Sequence, residues 1–141
     1  MTFQLNSKLK KDTILVYENQ FTHILLMNDT RYPWIIIVPK KNNTNELFQL
    51  TSLERTQLDV QIDIISKFFK FKYPSTVINV AKIGNIVKQL HIHIVARNEN
   101  DPSWPNPVWG IGQPQKYSKN EAKILIEELK QYFTENYPHK D

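Results

Sequence analysis

The most informative stretch of this chain is Gln89-Leu90-His91-Ile92-His93-Ile94-Val95, in which polar and apolar residues alternate as far as Val95. A period of two is typical of a β-strand that has one solvent-facing side and one buried side. Gln89, His91 and His93 are therefore predicted to project from the same side, about 7 Å apart for each step of two residues. The intervening leucine and isoleucines are predicted to enter a core.

Three interpretations of this histidine-bearing face compete. It can be an ordinary half-exposed strand that carries imidazoles. It can be a metal site, because His-x-His supplies two ligands and His23, an aspartate or a glutamate elsewhere would supply a third. It can also be a site of nucleophilic catalysis, in which a neutral imidazole attacks phosphorus while a hydrogen bond to its other nitrogen orients the ring.

The longer segment Gly84-Asn85-Ile86-Val87-Lys88-Gln89-Leu90-His91-Ile92-His93-Ile94-Val95-Ala96-Arg97 resembles the histidine triad (HIT) superfamily of nucleotide hydrolases and transferases. That family carries three histidines, alternating with apolar residues, on one strand that follows a turn with glycine and a polar amide residue. On this resemblance, the middle position is His91 and the last position is His93. The first position departs from the family pattern, because it is Gln89 and not a histidine.

The resemblance implies that His91 attacks the α-phosphate of a nucleotide and forms a nucleotidyl-histidine intermediate that water hydrolyses. His93 would contact the phosphate oxygens or steer the ring of His91. Gln89 can donate and accept hydrogen bonds at the site but cannot titrate. A dinucleoside polyphosphate such as diadenosine tetraphosphate is a plausible substrate, and no cofactor or metal ion is required. Two alternatives are a catalytically weak nucleotide-binding module and a metal-dependent hydrolase that uses His91 and His93.

Five further residues are candidates for substrate binding. The resemblance places Asn85 against the phosphate chain and Asn28 and Asp29 against the ribose hydroxyls, although all three are also common turn residues. Arg97 follows the histidine strand and can meet a phosphate, or it can be a surface residue. Trp109, in the stiff segment Trp104-Pro105-Asn106-Pro107-Val108-Trp109-Gly110, can stack on a base, or it can cover the sheet edge or a dimer interface.

The composition is that of a soluble globular protein. The 141 residues suit one domain, 1–141, and the chain is 40% hydrophobic and 23% charged. The net charge of +4 helps to collect phosphates but is not a nucleic-acid-binding signature. The absence of cysteine excludes disulfides and thiolate metal sites, and no apolar run is long enough for a signal peptide or a membrane span. We expect a cytoplasmic protein without a membrane or nucleic-acid partner.

Hydrophobic periodicity predicts five strands and two long helices. The strands are expected at residues 13–17, 22–27, 34–38, 76–81 and 89–96, and the apolar run at 34–38 is expected to be central. Capping boxes at Thr51-x-x-Glu54 and Ser118-x-x-Glu121 predict the helix starts. The predicted buried stripes are Leu58, Ile62, Ile65 and Phe69 in the first helix and Ala122, Leu125, Leu129 and Phe133 in the second. Residues 138–141 are predicted to form a frayed tail.

These elements predict an α+β fold. It consists of a five-stranded antiparallel sheet with a crossing helix and a C-terminal helix packed on one face, which is also the fold that the HIT resemblance implies. The crossing helix carries a second apolar set, formed by Val60, Ile64, Phe68 and Phe71. A helix that is apolar around so much of its circumference is buried on two sides, and this predicts a homodimer.

Overall fold

The computed structural model describes residues 2–138. Within them, the helices are α1 (Ser7–Asp12), α2 (Ser52–Lys72) and α3 (Lys119–Asn136), and a 3-10 turn lies at Leu47–Gln49. The strands are β1 (Thr13–Glu18), β2 (Thr22–Met27), β3 (Trp34–Pro39), β4 (Val77–Lys82) and β5 (Ile92–Arg97). The last three residues of the predicted frayed tail lie outside the described residues.

The strands form one antiparallel sheet in the order β1-β2-β3-β5-β4. This confirms the five-stranded antiparallel sheet that the sequence predicts. Strand β3 is central, and all six of its residues are buried, as its continuous apolar run predicts. The chain reaches β4 and β5 only after α2 has crossed the sheet, so the histidine-bearing strand is inserted beside β3.

Helices α2 and α3 cover one face of the sheet. Each begins at its predicted capping box, with the side chains of Thr51 and Ser118 accepting the backbone N–H groups of Glu54 and Glu121. The predicted stripe of α3 is buried at all four positions, and the stripe of α2 is buried except at Ile62, which is half-buried. This core includes Leu90, Ile92 and Ile94, as predicted.

The opposite face of the sheet is also covered. The prediction that the histidine-bearing side of the strand faces solvent is therefore wrong. All six residues of β5 are buried, and His91 and His93 are each only 5% exposed. The cover consists of short segments that are far apart in the sequence. Its apolar side chains are Phe3, Leu5, Leu9, Tyr32, Val87, Val108 and Trp109.

Two local boundaries also differ from the prediction. Strand β5 begins at Ile92 and not at Gln89, because the backbone N–H of Leu90 donates to the carbonyl of Thr44 in a loop, 3.0 Å away, and the β3–β5 register stops at Ile92. Helix α1 was not predicted from the sequence. Its six residues are too few for a periodic pattern, and they are stabilised by the side chain of Asn6, which accepts the N–H groups of Lys8 and Leu9.

The second apolar set of α2 is mostly buried within one chain. Ile64 and Phe68 lie in the core between the sheet and α3, and the ring of Phe68 is 5.5 Å from that of Tyr132. Phe71, by contrast, is 78% exposed. The intrachain packing of α3 therefore removes most of the surface on which the sequence argument for a homodimer depended. Among the described residues, we find no helix with the length and apolar character needed to span a bilayer.

Candidate active site

His91 lies immediately before β5, and its ring is oriented by the main chain. Its Nδ1 atom is 2.7 Å from the carbonyl oxygen of Gln89. A carbonyl only accepts, so Nδ1 carries the proton and Nε2 keeps its lone pair. Burial lowers the pKa of His91 below 6.5, and the charge of Lys82 acts in the same direction, against the opposing effect of the Gln89 hydrogen bond. His91 is therefore a neutral imidazole with an unprotonated Nε2 at neutral pH.

His93 has the opposite tautomer. The indole Nε1 of Trp34 donates to Nδ1 of His93 over 3.0 Å, and an indole N–H can only donate. Nδ1 is therefore unprotonated, and Nε2 carries the proton. Burial, followed by the neighbouring charge of His91, lowers the pKa of His93 to about 3. The two imidazole centroids are 4.9 Å apart, so a ring with an unprotonated Nε2 and a ring with a protonated Nε2 are neighbours.

The two histidines line a cavity of about 390 Å³. Trp109 packs edge-on against His93, with ring centroids 5.0 Å apart, and also against Trp34 at 6.0 Å. Helix α1 supplies one wall of the cavity, and the turn before β5 supplies another. The remaining lining residues are Lys8, Leu9 and Asp12 of α1, Asn85, Ile83, Ile86 and Val87 of the turn, and Met27 and Ile36 of the sheet.

A second cavity of about 490 Å³ adjoins the first. The two share Lys8, Asp12, Met27 and Trp109 as lining residues. The second cavity is rich in cations and apolar groups, and its charged lining residues are Lys8, Lys11, Asp12, Asp29, Arg31 and Lys116. Lys8 pairs with Asp12 and Arg31 pairs with Asp29, each at 2.9 Å. Lys11 and Lys116 form no ion pair within residues 2–138, so the cavity has an excess of positive charge.

Asn28 and Asp29 line this second cavity. Their side chains also hold the segment that leads into α3. The Asn28 oxygen accepts the N–H of Tyr117 at 2.8 Å, and Asp29 accepts the N–H of Gln115 at 3.2 Å. Burial by itself would raise the pKa of Asp29, but the hydrogen bonds from Arg31 and Gln115 outweigh it and keep the pKa below its ordinary value.

Among the other predicted site residues, Asn85 and Trp109 lie in the histidine cavity, whereas Gln89 and Arg97 do not line it. The amide of Gln89 is engaged with the N-terminal segment, at 2.8 Å from the N–H of Asn6 and 2.9 Å from the carbonyl of Gln4. Arg97 lies at the far end of β5, roughly 20 Å along the strand from His91.

The expected contact between Arg97 and a phosphate is not supported by the structure. Arg97 is 2% exposed, and its guanidinium pairs with the carboxylate of Asp101 at 2.8 Å. It also donates to Asn79 and to Ser103, each at 3.2 Å. Five residues of extended chain separate it from His91, and its donors are used within a buried network. Arg97 therefore stabilises the loop that follows β5.

The residues of the site that come from α1 and from β3 were not predicted from the sequence. Asn6 as a helix-capping residue and the basic pair Lys10 and Lys11 at the end of the helix were the available signals for α1. The role of Trp34 had no sequence signal, because it depends on the β3–β5 register that places Trp34 beside the histidine strand.

The metal-site interpretation lacks its third ligand. Across residues 2–138 we find no group of three or more histidine, aspartate or glutamate side chains placed to hold a metal ion. His23 lies on β2, where its Nε2 is 3.2 Å from a carboxylate oxygen of Glu18. It lines a separate cavity beside Phe3 and Lys10. The histidine pair therefore offers two imidazole ligands.

Comparison with known proteins bears on the family to which the chain belongs. The HIT domain family model matches residues 8–100. A histidine triad protein from Sinorhizobium meliloti is 35% identical, with a TM-score of 0.89, and the match covers 93% of this chain and 97% of that one. A histidine triad protein from Bradyrhizobium japonicum is 34% identical, with a TM-score of 0.89 and coverage of 94% and 98%.

A third histidine triad protein, from Marinobacter aquaeolei, is 32% identical, with a TM-score of 0.91 and coverage of 96% of this chain and 99% of that one. Comparison with curated proteins gave no match. The family model covers most of the chain, and the matches to these three structures cover 93–96% of it. On this evidence, the chain belongs to the histidine triad (HIT) family.

Proposed function

We propose that this protein is a nucleotide hydrolase or nucleotidyl transferase in which Nε2 of His91 attacks the α-phosphorus of its substrate. The observation that carries the proposal is the opposite tautomers of the two histidines, which present a lone pair and an N–H donor to the same cavity. Nucleophilic attack by imidazole needs an unprotonated nitrogen, and the developing charge on the phosphoryl oxygens needs a donor. Membership of the HIT family supports a nucleotide-binding, hydrolase-type function.

The reaction proceeds in two displacements. In the first, the bond from Nε2 to phosphorus forms, and the bond from phosphorus to the leaving oxygen breaks with its electron pair on the leaving group. The imidazolium that results keeps its Nδ1–H on the Gln89 carbonyl, which stabilises the positive charge. In the second, water or another acceptor attacks phosphorus and loses a proton, and His91 returns to its neutral form. His93 donates through Nε2 to a non-bridging oxygen in both steps.

The chemistry of the histidines favours a phosphoanhydride substrate over a phosphoramidate. A pKa of about 3 leaves no imidazolium at His93 near neutral pH, and the pKa of His91 is also lowered. Neither ring can protonate a leaving group under those conditions, and Gln89 cannot titrate. A phosphate or nucleotide departs as a stable anion, whereas an amine must gain a proton.

The two adjoining cavities provide room for a nucleotide. The cavity with His91, His93 and Asn85 takes the phosphates. The second, with Trp34, Trp109, Asn28 and Asp29, takes a nucleoside, whose base has an aromatic wall and whose hydroxyls have polar side chains. The uncompensated charge of Lys11 and Lys116 favours a polyanionic ligand, such as a dinucleoside polyphosphate, over a nucleoside monophosphate.

The proposal is tested by trapping the intermediate. Purified protein is mixed with diadenosine tetraphosphate, quenched, and examined by mass spectrometry for an adenylyl group on a peptide that contains residue 91. We expect the adduct in the wild type and in His23→Ala, whose histidine lies outside both cavities, and none in His91→Ala. Turnover without an adduct, or an adduct that persists in His91→Ala, would refute the nucleophile assignment.

Two alternatives to this mechanism are distinguished by measuring nucleotide binding and turnover, the latter with and without EDTA. A catalytically weak binding module has support in Gln89, whose amide replaces a titratable group, and it would bind adenosine nucleotides without turnover. A metal-dependent hydrolase would lose its activity in EDTA and regain it with zinc. Activity that survives EDTA at the rate of the untreated protein would leave the histidine mechanism as the explanation.

We also propose that the protein forms a homodimer through the edge strand β4. Val77 and Val80 of this strand are 54% and 49% exposed, and the strand has a sheet partner on one side only. An exposed apolar edge favours pairing with a second, antiparallel copy about a twofold axis. Sedimentation should show a dimer that Val80→Lys dissociates, and a wild-type monomer at micromolar concentration would refute the proposal.

A further inference from the structure

The first position of the histidine triad is occupied by a residue that makes two kinds of contact. The main-chain carbonyl of Gln89 orients His91. Its side-chain amide reaches away from the cavity to the N-terminal segment, where Oε1 accepts the N–H of Asn6 at 2.8 Å and Nε2 donates to the carbonyl of Gln4 at 2.9 Å. These partners lie 83 and 85 positions away in the sequence, so the amide connects the two ends of the site.

A primary amide is suited to this contact. One backbone donor and one backbone acceptor are satisfied together, in the way that a peptide group of a neighbouring strand would satisfy them. The partners also settle the orientation of the amide, because an N–H can only donate and a carbonyl can only accept. A carboxylate offers no donor for Gln4. A neutral imidazole has its donor and its acceptor on opposite sides of the ring, where they cannot face two adjacent peptide groups.

The segment held by Gln89 leads directly into the wall of the site. Asn6 donates its backbone N–H to Gln89 and caps α1 with its side chain. Helix α1 then presents Lys8, Leu9 and Asp12 to the histidine cavity. An isolated helix of six residues is unstable in water, so its position depends on its attachments.

We propose that Gln89 is a positioning residue that clamps the N-terminal segment and thereby places α1 over the nucleotide site. In this protein, the first triad position serves ligand binding and not proton transfer. The structural part of this inference stands on its own contacts, and its kinetic part rests on the proposed function. Loosening the clamp should weaken substrate binding while leaving the histidine chemistry unchanged.

The test uses Gln89→Met, which keeps the shape of the side chain and removes both hydrogen bonds, and Gln89→His, which restores the histidine of the family pattern. Gln131→Met is the control, because Gln131 is exposed on α3 and donates to Glu135 alone. Hydrogen exchange of residues 2–12 in the full chain reports on the clamp. Steady-state kinetics with diadenosine tetraphosphate, or a binding titration with AMP, reports on the site.

We expect exchange of residues 2–12 to become about tenfold faster in both Gln89 variants, which corresponds to the loss of one or two net hydrogen bonds. KM, or the Kd for AMP, should rise by a similar factor, with kcat within about twofold of the wild type. Gln131→Met should change neither. Melting temperatures identify any variant that fails to fold, and Gln89→Glu, which loses only the donor to Gln4, then takes its place.

Several outcomes would overturn the inference. Unchanged exchange in residues 2–12 would show that Gln89 does not clamp the segment. Faster exchange with unchanged KM and Kd would show that the clamp does not shape the site. A fall in kcat with unchanged KM, or a shifted pH–rate profile in Gln89→His, would assign Gln89 to the chemistry. If the wild type neither turns over nor binds nucleotides, the proposed function fails, while the exchange data still decide whether the clamp exists.

Discussion

The two faces of the sheet are covered in different ways. On one face, the long helices α2 and α3 lie over a continuous apolar core that holds Ile24, Leu26, Ile35, Ile37 and Phe133. On the other face, the cover consists of residues 3–9, Tyr32 and the segment at Val108 and Trp109. The first cover consists of two helices with predicted apolar stripes. The second is assembled from short pieces that are far apart in the sequence.

The helix-covered face stabilises the fold, whereas the face covered by short segments holds the candidate site. A long amphipathic helix excludes water from the strands beneath it and leaves no room for a ligand. Short segments leave gaps between them, and the two cavities beside His91 and His93 lie in those gaps. Polar groups such as His93 are buried on this face because each has a partner, in this case the indole of Trp34. The face covered by short segments is therefore the one that can hold a reactive site.

The largest expected effect lies on the site face. His91→Ala should lower the turnover of a dinucleoside polyphosphate by three or more orders of magnitude, because it removes the proposed covalent nucleophile. The melting temperature should stay within a few degrees of the wild type. A folded variant with the wild-type rate would show that the two faces do not divide chemistry from stability in this way.

The pH dependence of stability is predicted to come from the same face. In the unfolded chain, His91 and His93 titrate near 6.5, whereas burial lowers both folded pKa values, that of His93 to about 3. Below pH 6.5, the unfolded state therefore binds protons that the folded state excludes. The free energy of unfolding should fall by several kcal/mol between pH 6.5 and pH 3, and this loss is absent above pH 6.5.

Urea unfolding of the wild type and of His93→Asn over this pH range provides the measurement. The variant should show a smaller dependence on pH. On the acidic side of the pH profile, kcat should fall only below pH 6.5, because the attack needs a neutral His91. A fall in kcat at or above pH 6.5 would contradict the buried, neutral state of the two histidines. An equal pH dependence of the free energy of unfolding in the wild type and in His93→Asn would also contradict it.

On the helix face, Phe133→Ala should destabilise the protein by about 3–5 kcal/mol, the usual cost of removing a buried ring from a packed core. Phe133 is 1% exposed and packs against Tyr17 and Tyr137, with ring centroids 5.4 and 5.2 Å away. The value of kcat/KM per folded molecule should not change. Thermal unfolding and active-site titration check both parts, and a specific loss of kcat would show that the two faces are coupled.

The smallest expected effect is that of Trp34→Phe, which preserves an aromatic ring and removes the N–H donor to His93. An unsatisfied buried nitrogen costs about 1–3 kcal/mol, and the tautomer of His93 is no longer imposed. We expect kcat to fall by about tenfold to a hundredfold. Trp104→Phe is the matched control, because Trp104 lies over Arg97 at the other end of β5. Nitrogen NMR shifts that still report a protonated Nε2 in Trp34→Phe would contradict the role of the indole.

The comparison also explains which predictions from the sequence succeeded. The five strands, both capping boxes and the stripe of α3 were predicted because each depends on neighbours within a few positions. The placement of His93 on a strand was predicted for the same reason, whereas His91 lies immediately before β5. The sequence left Arg97 as either a phosphate contact or a surface residue, and in the structure it is buried in an ion pair with Asp101.

The sequence by itself determined the family, the α+β sheet and the two histidines that the proposed chemistry needs, because alternation and spacing are local properties of the chain. Only the tertiary structure decided the tautomer of His93, the burial of the histidine face and the partners of Gln89. Each depends on a contact between segments far apart in the sequence. These contacts join Trp34 to His93, the N-terminal segment to Gln89, and the ring of Trp109 to the rings of Trp34 and His93. Hydrogen bonds and burial across such distances follow from the register and the path of the whole chain, which no local pattern contains.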